Sequence, residues 1–277
     1  MTTDVEAPWR ERLDRARELV RELRGGVVVA FSGGVDSALL LRLFADALPG
    51  RVLAVTADSE SYPDVDRTDA IAFARSLGVP HLFVRTHELE NEAYRKNDAN
   101  RCYFCKRSLF ETLAPLARER GLDHLAFGAN ADDEGDFRPG HRAAHEFAVR
   151  APLLDAGLTK ADVRAASREL GLTLWDKPAS ACLASRIPYG TAIDETMLRQ
   201  VEHAETALRA LGLRQVRVRH HGDVARIELG AGELERALAE LRAQIVAGVR
   251  AAGFAWVTLD LDGYVHGSLN RLLREPS

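Results

Sequence analysis

The chain has 277 residues, enough for one large or two modest domains with real cores. Its 46% hydrophobic and 28% charged residues are the balance of a globular protein, and no run approaches the ~20 apolar residues of a membrane span. A net charge of −4 argues against a nucleic-acid partner. The charged N-terminus is not a secretory signal, so a cytoplasmic protein is expected. There Cys102, Cys105 and Cys182 should stay reduced.

In chain order, Trp9, Leu13, Ala16, Val20 and Leu23 recur at helical spacing and predict an amphipathic helix ended by Gly25-Gly26. Residues 27–31 are a short apolar run rich in valine, the mark of a buried parallel strand. A helix follows through Ala38, Leu39, Leu40, Leu43 and Phe44. Residues 52–57 read as a second strand. A helix starts near Pro63, with Ile71, Ala74 and Leu77 expected inward. Residues 81–85 are a third strand, 109–118 a helix and 124–127 a fourth strand. Strands alternating with helices predict an α/β fold, a doubly wound, mostly parallel sheet. Residues 128–158 show little periodicity, and a loop of that length in a compact domain is usually functional. Thr159 is placed to cap a helix reaching Leu170, and 171–193 is irregular. From Asp194 the pattern becomes helix (194–211), two alternating strands, helix (231–250) and strand, a smaller α+β domain. The domain boundary is set at 180/181.

Between the first strand and its helix lie residues 32–37, Ser-Gly-Gly-Val-Asp-Ser. Gly33 and Gly34 let the backbone turn tightly and approach an anion. Backbone N–H groups and the following helix N-terminus form an anion site. The Ser32 and Ser37 hydroxyls can add donors, and Asp36 suits Mg²⁺ or a helix cap. The loop lacks the Gly-Lys-Ser/Thr ending of a Walker A loop. A plain capped strand-to-helix turn would use the same residue types. SGGxDS after a buried strand resembles the PP-loop ATP pyrophosphatases, which cleave ATP between the α- and β-phosphates and leave AMP on a substrate oxygen. The segment from Gly128 to Asp133 is similar to one in NAD synthetases of that superfamily. The similarity implies Gly128 at the nucleotide and Asp132 as a Mg²⁺ ligand; a solvated acidic loop is the alternative. Arg150-Ala-Pro-Leu-Leu with the later Thr-Lys-Ala-Asp-Val-Arg resembles the helix after the ATP site in GMP synthetases.

Residues 175–190, WDKPASACLASRIPYG, resemble the hallmark of the LarE-type sulfur transferases, and the likeness runs from the phosphate loop into the C-terminal domain. The resemblance implies adenylation of a pyridinium carboxylate mononucleotide, loss of pyrophosphate, and replacement of AMP by sulfur, a step in making the nickel-pincer nucleotide of lactate racemase. Activation makes chemical sense, since a carboxylate is a poor electrophile and a thiolate attacks an acyl adenylate once its pKa is lowered by nearby positive charge. Cys182 is the expected nucleophile, with Arg186 and Lys177 as cations that could stabilise thiolate or phosphate; a buried structural cysteine is the alternative. Two sulfur sources occur in the family. A lone cysteine can surrender its sulfur and become dehydroalanine, or three cysteines can hold a 4Fe-4S cluster with one open iron. The C-x-x-C of Cys102 and Cys105 together with Cys182 favours the cluster. A protective or unrelated pair and a Cys₃His zinc site stay open. Arg217 and Arg219 share a strand face and suit a substrate phosphate; a solvated edge-strand face would look the same. Tyr62, Arg101, Arg138 and Arg142 are further residues for the site. The family implies a hexamer.

Rival functions are weighed by what they need. A tRNA-thiolating enzyme normally carries a basic stripe, against which the acidic charge speaks. An amide-forming synthetase needs ammonia delivery, and no glutaminase domain is read here. A non-enzymatic ATP-binding module needs neither the cysteines nor the Cys182 motif.

Overall fold

The computed structural model of the chain describes residues 8–133, 139–178, 181–265 and 267–268. In order the elements are α1 (Pro8–Glu22), β1 (Val27–Ala30), α2 (Val35–Ala47), β2 (Val52–Asp58), α3 (Asp64–Ser76), β3 (His81–Arg85), α4 (Glu92–Arg95), α5 (Arg101–Glu119) and β4 (His124–Phe127). They continue with α6 (Pro139–Glu146), α7 (Pro152–Asp155), α8 (Lys160–Glu169), α9 (Glu195–Ala210), β5 (Val216–His221), β6 (Val224–Leu229), α10 (Leu234–Ala239), α11 (Arg242–Ala251) and β7 (Trp256–Leu259). Two compact units result. One runs to His87 and resumes at Cys102; the other takes Glu88–Arg101 and the chain from Ala181 onward.

The first unit is a parallel sheet in the order β3-β2-β1-β4. The β1 valines alternate between two apolar layers. Val27 and Val29 pack with Leu39, Leu40 and Phe44 of α2 and with Val163 and Ala166 of α8. Val28 and Ala30 pack with Phe110 and Leu113 of α5. Helices therefore cover both faces, as the unbroken hydrophobicity of β1 demands. The α/β reading holds, with local corrections. On α3 the buried side chains are Ala70, Phe73 and Ala74, whereas Ile71 is 47% exposed. Ala74 and Leu77 face the core as expected, and Ile71 alone of the three does not. Residues 128–158 contain α6 and α7 rather than unbroken loop. Helix α5 begins early enough to put Cys102 and Cys105 among its first five residues. Thr159 caps α8 through a capping box with Asp162.

The second unit is a three-stranded sheet, β5-β6-β7, antiparallel then parallel. Where one helix was expected over 231–250 there are two, α10 and α11. Residues 88–101 join this unit through Asn97. It is fully buried and left-handed (φ 53°). Its Nδ2 donates to the carbonyls of Ile187 (3.3 Å), Pro188 (2.8 Å) and Thr191 (3.0 Å). Its Oδ1 accepts from Arg101 Nη1 at 2.6 Å, and that same Nη1 reaches the Ala184 carbonyl at 3.0 Å.

Asn97→Ala should cost about 3 kcal/mol, because buried carbonyls lose their donor and a Cβ residue must hold a positive φ. Asn97→Gly should recover about 1 kcal/mol of that by relieving only the backbone strain. Urea unfolding of the three proteins measures both.

Candidate active site

Strand order places β1 between β2 and β4, so the chain leaves β1 and β4 at a topological switch point, where open α/β sheets bind ligands beyond the carboxyl ends of the strands. The phosphate loop follows β1 there, and Gly128 follows β4. Gly33 is left-handed (φ 69°), and a Cβ on it would lie 3.1 Å from the Asp66 carbonyl. At Gly128 the constraint is closer still. A Cβ there would sit 2.6 Å from the Ser37 nitrogen and 2.8 Å from the Asp36 carbonyl carbon. Glycine thus lets the β4 exit lie against the first turn of α2, whose leading N–H groups have no partner within the helix.

The two serines divide their work. Ser37 is buried; its Oγ donates to the Gly34 carbonyl (3.0 Å) and accepts from the Ser32 N–H (3.3 Å). Its hydroxyl braces the loop. Ser32 is exposed and its Oγ lies 3.2 Å from that of Ser37.

Behind the loop is a set of contacts that the sequence did not single out as a group. Tyr62 donates its hydroxyl to the Ser32 carbonyl at 3.1 Å. Burial, then the Asp66 charge, pushes that phenol well above its ordinary pKa, so it stays a donor. Lys177 donates to the Gly33 carbonyl at 3.1 Å and pairs with Asp66 (2.8 Å) and Asp69 (2.7 Å). Its ammonium is therefore engaged at the phosphate loop. With both carbonyls held from one side, the loop amides are pre-set for an anion. Lys177 was singled out in the sequence for its place in the 175–190 motif, whereas its acidic partners Asp66 and Asp69 were not.

On the α2 side, Asp36 takes the Asn130 amide on Oδ1 (3.0 Å) and the Lys160 ammonium on Oδ2. Asp132 is exposed and accepts the Lys160 N–H at 2.9 Å. A carboxylate that already holds a cation beside a phosphate loop, with a second carboxylate adjoining the same lysine, is an oxygen donor set that fits Mg²⁺.

In the second unit Cys182 is partly exposed and precedes the 3-10 turn Leu183–Arg186. Arg186 is buried. Its Nε and Nη2 make a bidentate pair with Glu205 (2.8 and 2.9 Å), and its Nη1 holds the carbonyls of Ala181 (2.6 Å) and Cys182 (3.0 Å). Arg186 thus shapes the backbone around Cys182. Glu205 also accepts from Val218 N–H and Arg209. Burial would raise its pKa, but Arg186 foremost holds it down to about 2.

Arg217 and Arg219 are buried too, so the solvated edge-strand alternative fails. Arg219 pairs with Glu228 at 2.6 Å and reaches the Ser185 carbonyl at 2.9 Å, leaving its buried Nε without a partner. Arg217 lies over Tyr264, and burial, then repulsion from Arg186, lowers its pKa to about 10. Both arginines adjoin the Cys182 turn through Ser185 and Arg186, a setting that favours an added anion. Of the remaining residues, Arg101 serves Asn97, and Arg142 stacks 3.8 Å from the Tyr103 ring centroid. Arg138 lies outside the described residues. Among the described residues no group of three or more His, Cys, Asp or Glu side chains is placed to hold a metal ion.

A parallel sheet whose glycine-rich loop presents helix amides at the switch point, without a Walker lysine, defines an ATP-using enzyme of the PP-loop class. A family profile described as NAD synthase matches residues 9–120. An uncharacterized protein of Synechocystis sp. is 43% identical over 263 residues, 95% of this chain and 98% of its own length. The pyridinium-3,5-bisthiocarboxylic acid mononucleotide synthase of Lactiplantibacillus plantarum is 39% identical over 249 residues, 89% of this chain and 90% of that protein. A tRNA-specific 2-thiouridylase of Caulobacter sp. is 30% identical, but over 66% of this chain and 56% of its own length. The chain belongs to the LarE family, ATP-dependent sulfur-transferring enzymes. No helix among the described residues is long and apolar enough to cross a membrane.

Lys177→Met should weaken nucleotide binding about tenfold and cost about 3 kcal/mol, since the buried Asp66 loses a cationic partner; calorimetric titration with α,β-methylene-ATP and urea unfolding read the two effects. Because the folded pKa of Glu205 lies below its ordinary 4.5, its contribution is complete above that pH and fades as pH falls toward 2. Glu205→Gln should be less stable at pH 7 and show a shallower loss of stability below pH 4.5; unfolding midpoints across this range give the slopes.

Proposed function

We propose that this enzyme adenylates the carboxylate of a pyridinium mononucleotide and replaces AMP by sulfur, yielding the thiocarboxylate from which a nickel-pincer nucleotide is built. The observation that carries this reading is the 39% identity, over 89% of the chain, to the protein named for that product. The site geometry supports each step. A substrate carboxylate oxygen attacks the α-phosphorus of ATP, the bond to the β-phosphate bridging oxygen breaks, and pyrophosphate leaves onto the amides of the 32–37 loop. Bound Mg²⁺, held by Asp36 and Asp132, would neutralise charge on the phosphates. Ser32, Gly33, Gly34 and Gly128 then line the nucleotide, and Arg217 and Arg219 take the substrate phosphate.

In the first reading sulfur comes from Cys182, which is partly exposed beside backbone that Arg186 orders. Its thiolate attacks the acyl carbon and AMP leaves with the electron pair. Loss of the Cys182 Cα proton then breaks the Cβ–S bond. The thiocarboxylate departs and dehydroalanine stays at position 182, so each chain donates once. Arg186 fixes the backbone carbonyls on either side of this reaction. The second reading is a 4Fe-4S cluster on Cys102, Cys105 and Cys182, favoured because all three are free thiols confined to the two motifs. Cys102 and Cys105 lie on α5 and Cys182 precedes the turn Leu183–Arg186; no step here passes through a cluster. A small-molecule substrate is favoured over tRNA by the acidic charge and by the partial span of the thiouridylase match. We place the enzyme in the cytoplasm as a homo-oligomer, a hexamer by family.

Incubation with ATP, Mg²⁺ and the pyridinium mononucleotide should remove about 34 Da from the protein at Cys182, the mass of H₂S lost in cysteine-to-dehydroalanine chemistry. Intact-mass and peptide mass spectrometry measure it. Thiocarboxylate formed with no mass change, in protein containing iron and acid-labile sulfide, would favour the cluster instead. Product formation by Cys182→Ala would exclude both.

A further inference from the structure

The Lys160 ammonium sits directly on Asp36 Oδ2, and the Lys160 backbone N–H binds Asp132 Oδ2. One residue therefore engages both carboxylates that the proposed function assigns to Mg²⁺. Its position is imposed by the fold. Lys160 is the first residue of α8, fixed by the Thr159–Asp162 capping box, and α8 packs on α2 through the core containing Leu39, Val163 and Ala166. Asp36 is fixed equally firmly, on the first turn of α2 with its other oxygen on the buried Asn130. The Lys160 side chain is 34% exposed and that of Asp36 is 16% exposed, so the ammonium can leave without unpacking the core.

We infer that Lys160 is a built-in counter-ion that keeps Asp36 occupied until nucleotide arrives, and so couples the binding of divalent metal to the binding of ATP. An ammonium on a carboxylate oxygen opposes a divalent ion brought to the same oxygen. In the nucleotide-free enzyme a metal must displace Lys160, which weakens its binding. ATP brings phosphate oxygens that receive the released ammonium, so metal enters with nucleotide and not before it. Linkage then requires that metal strengthen nucleotide binding by the same factor as nucleotide strengthens metal binding. Lys160 is a positioning residue in this scheme; it forms no bond to the reacting atoms. The inference rests on the reading that the 32–37 loop binds metal-ATP.

The test measures Mn²⁺, as the probe for Mg²⁺, binding to the nucleotide-free protein by electron paramagnetic resonance, and repeats it with saturating α,β-methylene-ATP. Lys160→Gln should bind Mn²⁺ at least about fivefold more tightly than wild type without nucleotide, because an opposing unit charge is gone from the carboxylate. Adding Asp36→Asn should abolish that gain. Lys160→Arg, which keeps the charge, should behave as wild type. The enhancement of Mn²⁺ affinity by α,β-methylene-ATP should shrink in Lys160→Gln. Unchanged or weaker Mn²⁺ binding in Lys160→Gln, with the far-ultraviolet circular dichroism of wild type, would overturn the inference. If Lys160→Gln misfolds, Lys160→Met with the circular dichroism of wild type takes its place, with the same gain in nucleotide-free Mn²⁺ affinity expected and the same absence of gain overturning the inference. If wild type binds no α,β-methylene-ATP at any Mn²⁺ concentration, the functional reading itself fails, an outcome separate from the nucleotide-free comparison.

Discussion

There is no room for a Cβ at residue 128. That exclusion lets the exit of β4 press against the first turn of α2, and much else in the first unit follows from it. With the two backbones this close, Asn130 reaches Asp36, and Asp132 and Asp133 are drawn into the same corner. The loop before α2 is then held from its other side by Tyr62 and Lys177. An anion meets a surface of amides whose orientation was settled during folding, which is how electrostatic catalysis avoids reorganisation at the moment of reaction.

The second unit solves a different problem with buried charge. Desolvating Glu205 is costly, and the cost is offset by four hydrogen bonds from three elements: Arg186 of the cysteine turn, Arg209 of α9 and Val218 of β5. The network makes the conformation around Cys182 depend on the packing of helix against sheet.

Elements with a strong period were legible in the sequence: the β1 valines, the Thr159 cap and the alternating β5 and β6 strands all appear where expected. The phosphate loop was legible because glycine and serine at those spacings have few other uses. The buried arginines were not. Arg186 and Arg219 look like ligand contacts in isolation, and their acidic partners, Glu205 and Glu228, lie 19 and 9 residues away, where no local pattern joins them. Ile71 misled because an apolar side chain at helical spacing can still face solvent when its neighbours Ala70 and Phe73 suffice to fill the layer. Asn97 gave no signal, since its worth lies in three carbonyls that the chain supplies much later.

That delay has a consequence for how the molecule is made. The chain passes between its two units at 87/88, 101/102 and 180/181, so neither is a continuous stretch. Asn97 leaves the ribosome some 90 residues before Ile187, its first carbonyl partner in sequence. The 88–101 segment must therefore wait, tethered at both ends to strands and helices of the first unit, until the cysteine turn has been synthesised. Cys182 acquires its ordered backbone only after most of the first unit has been produced.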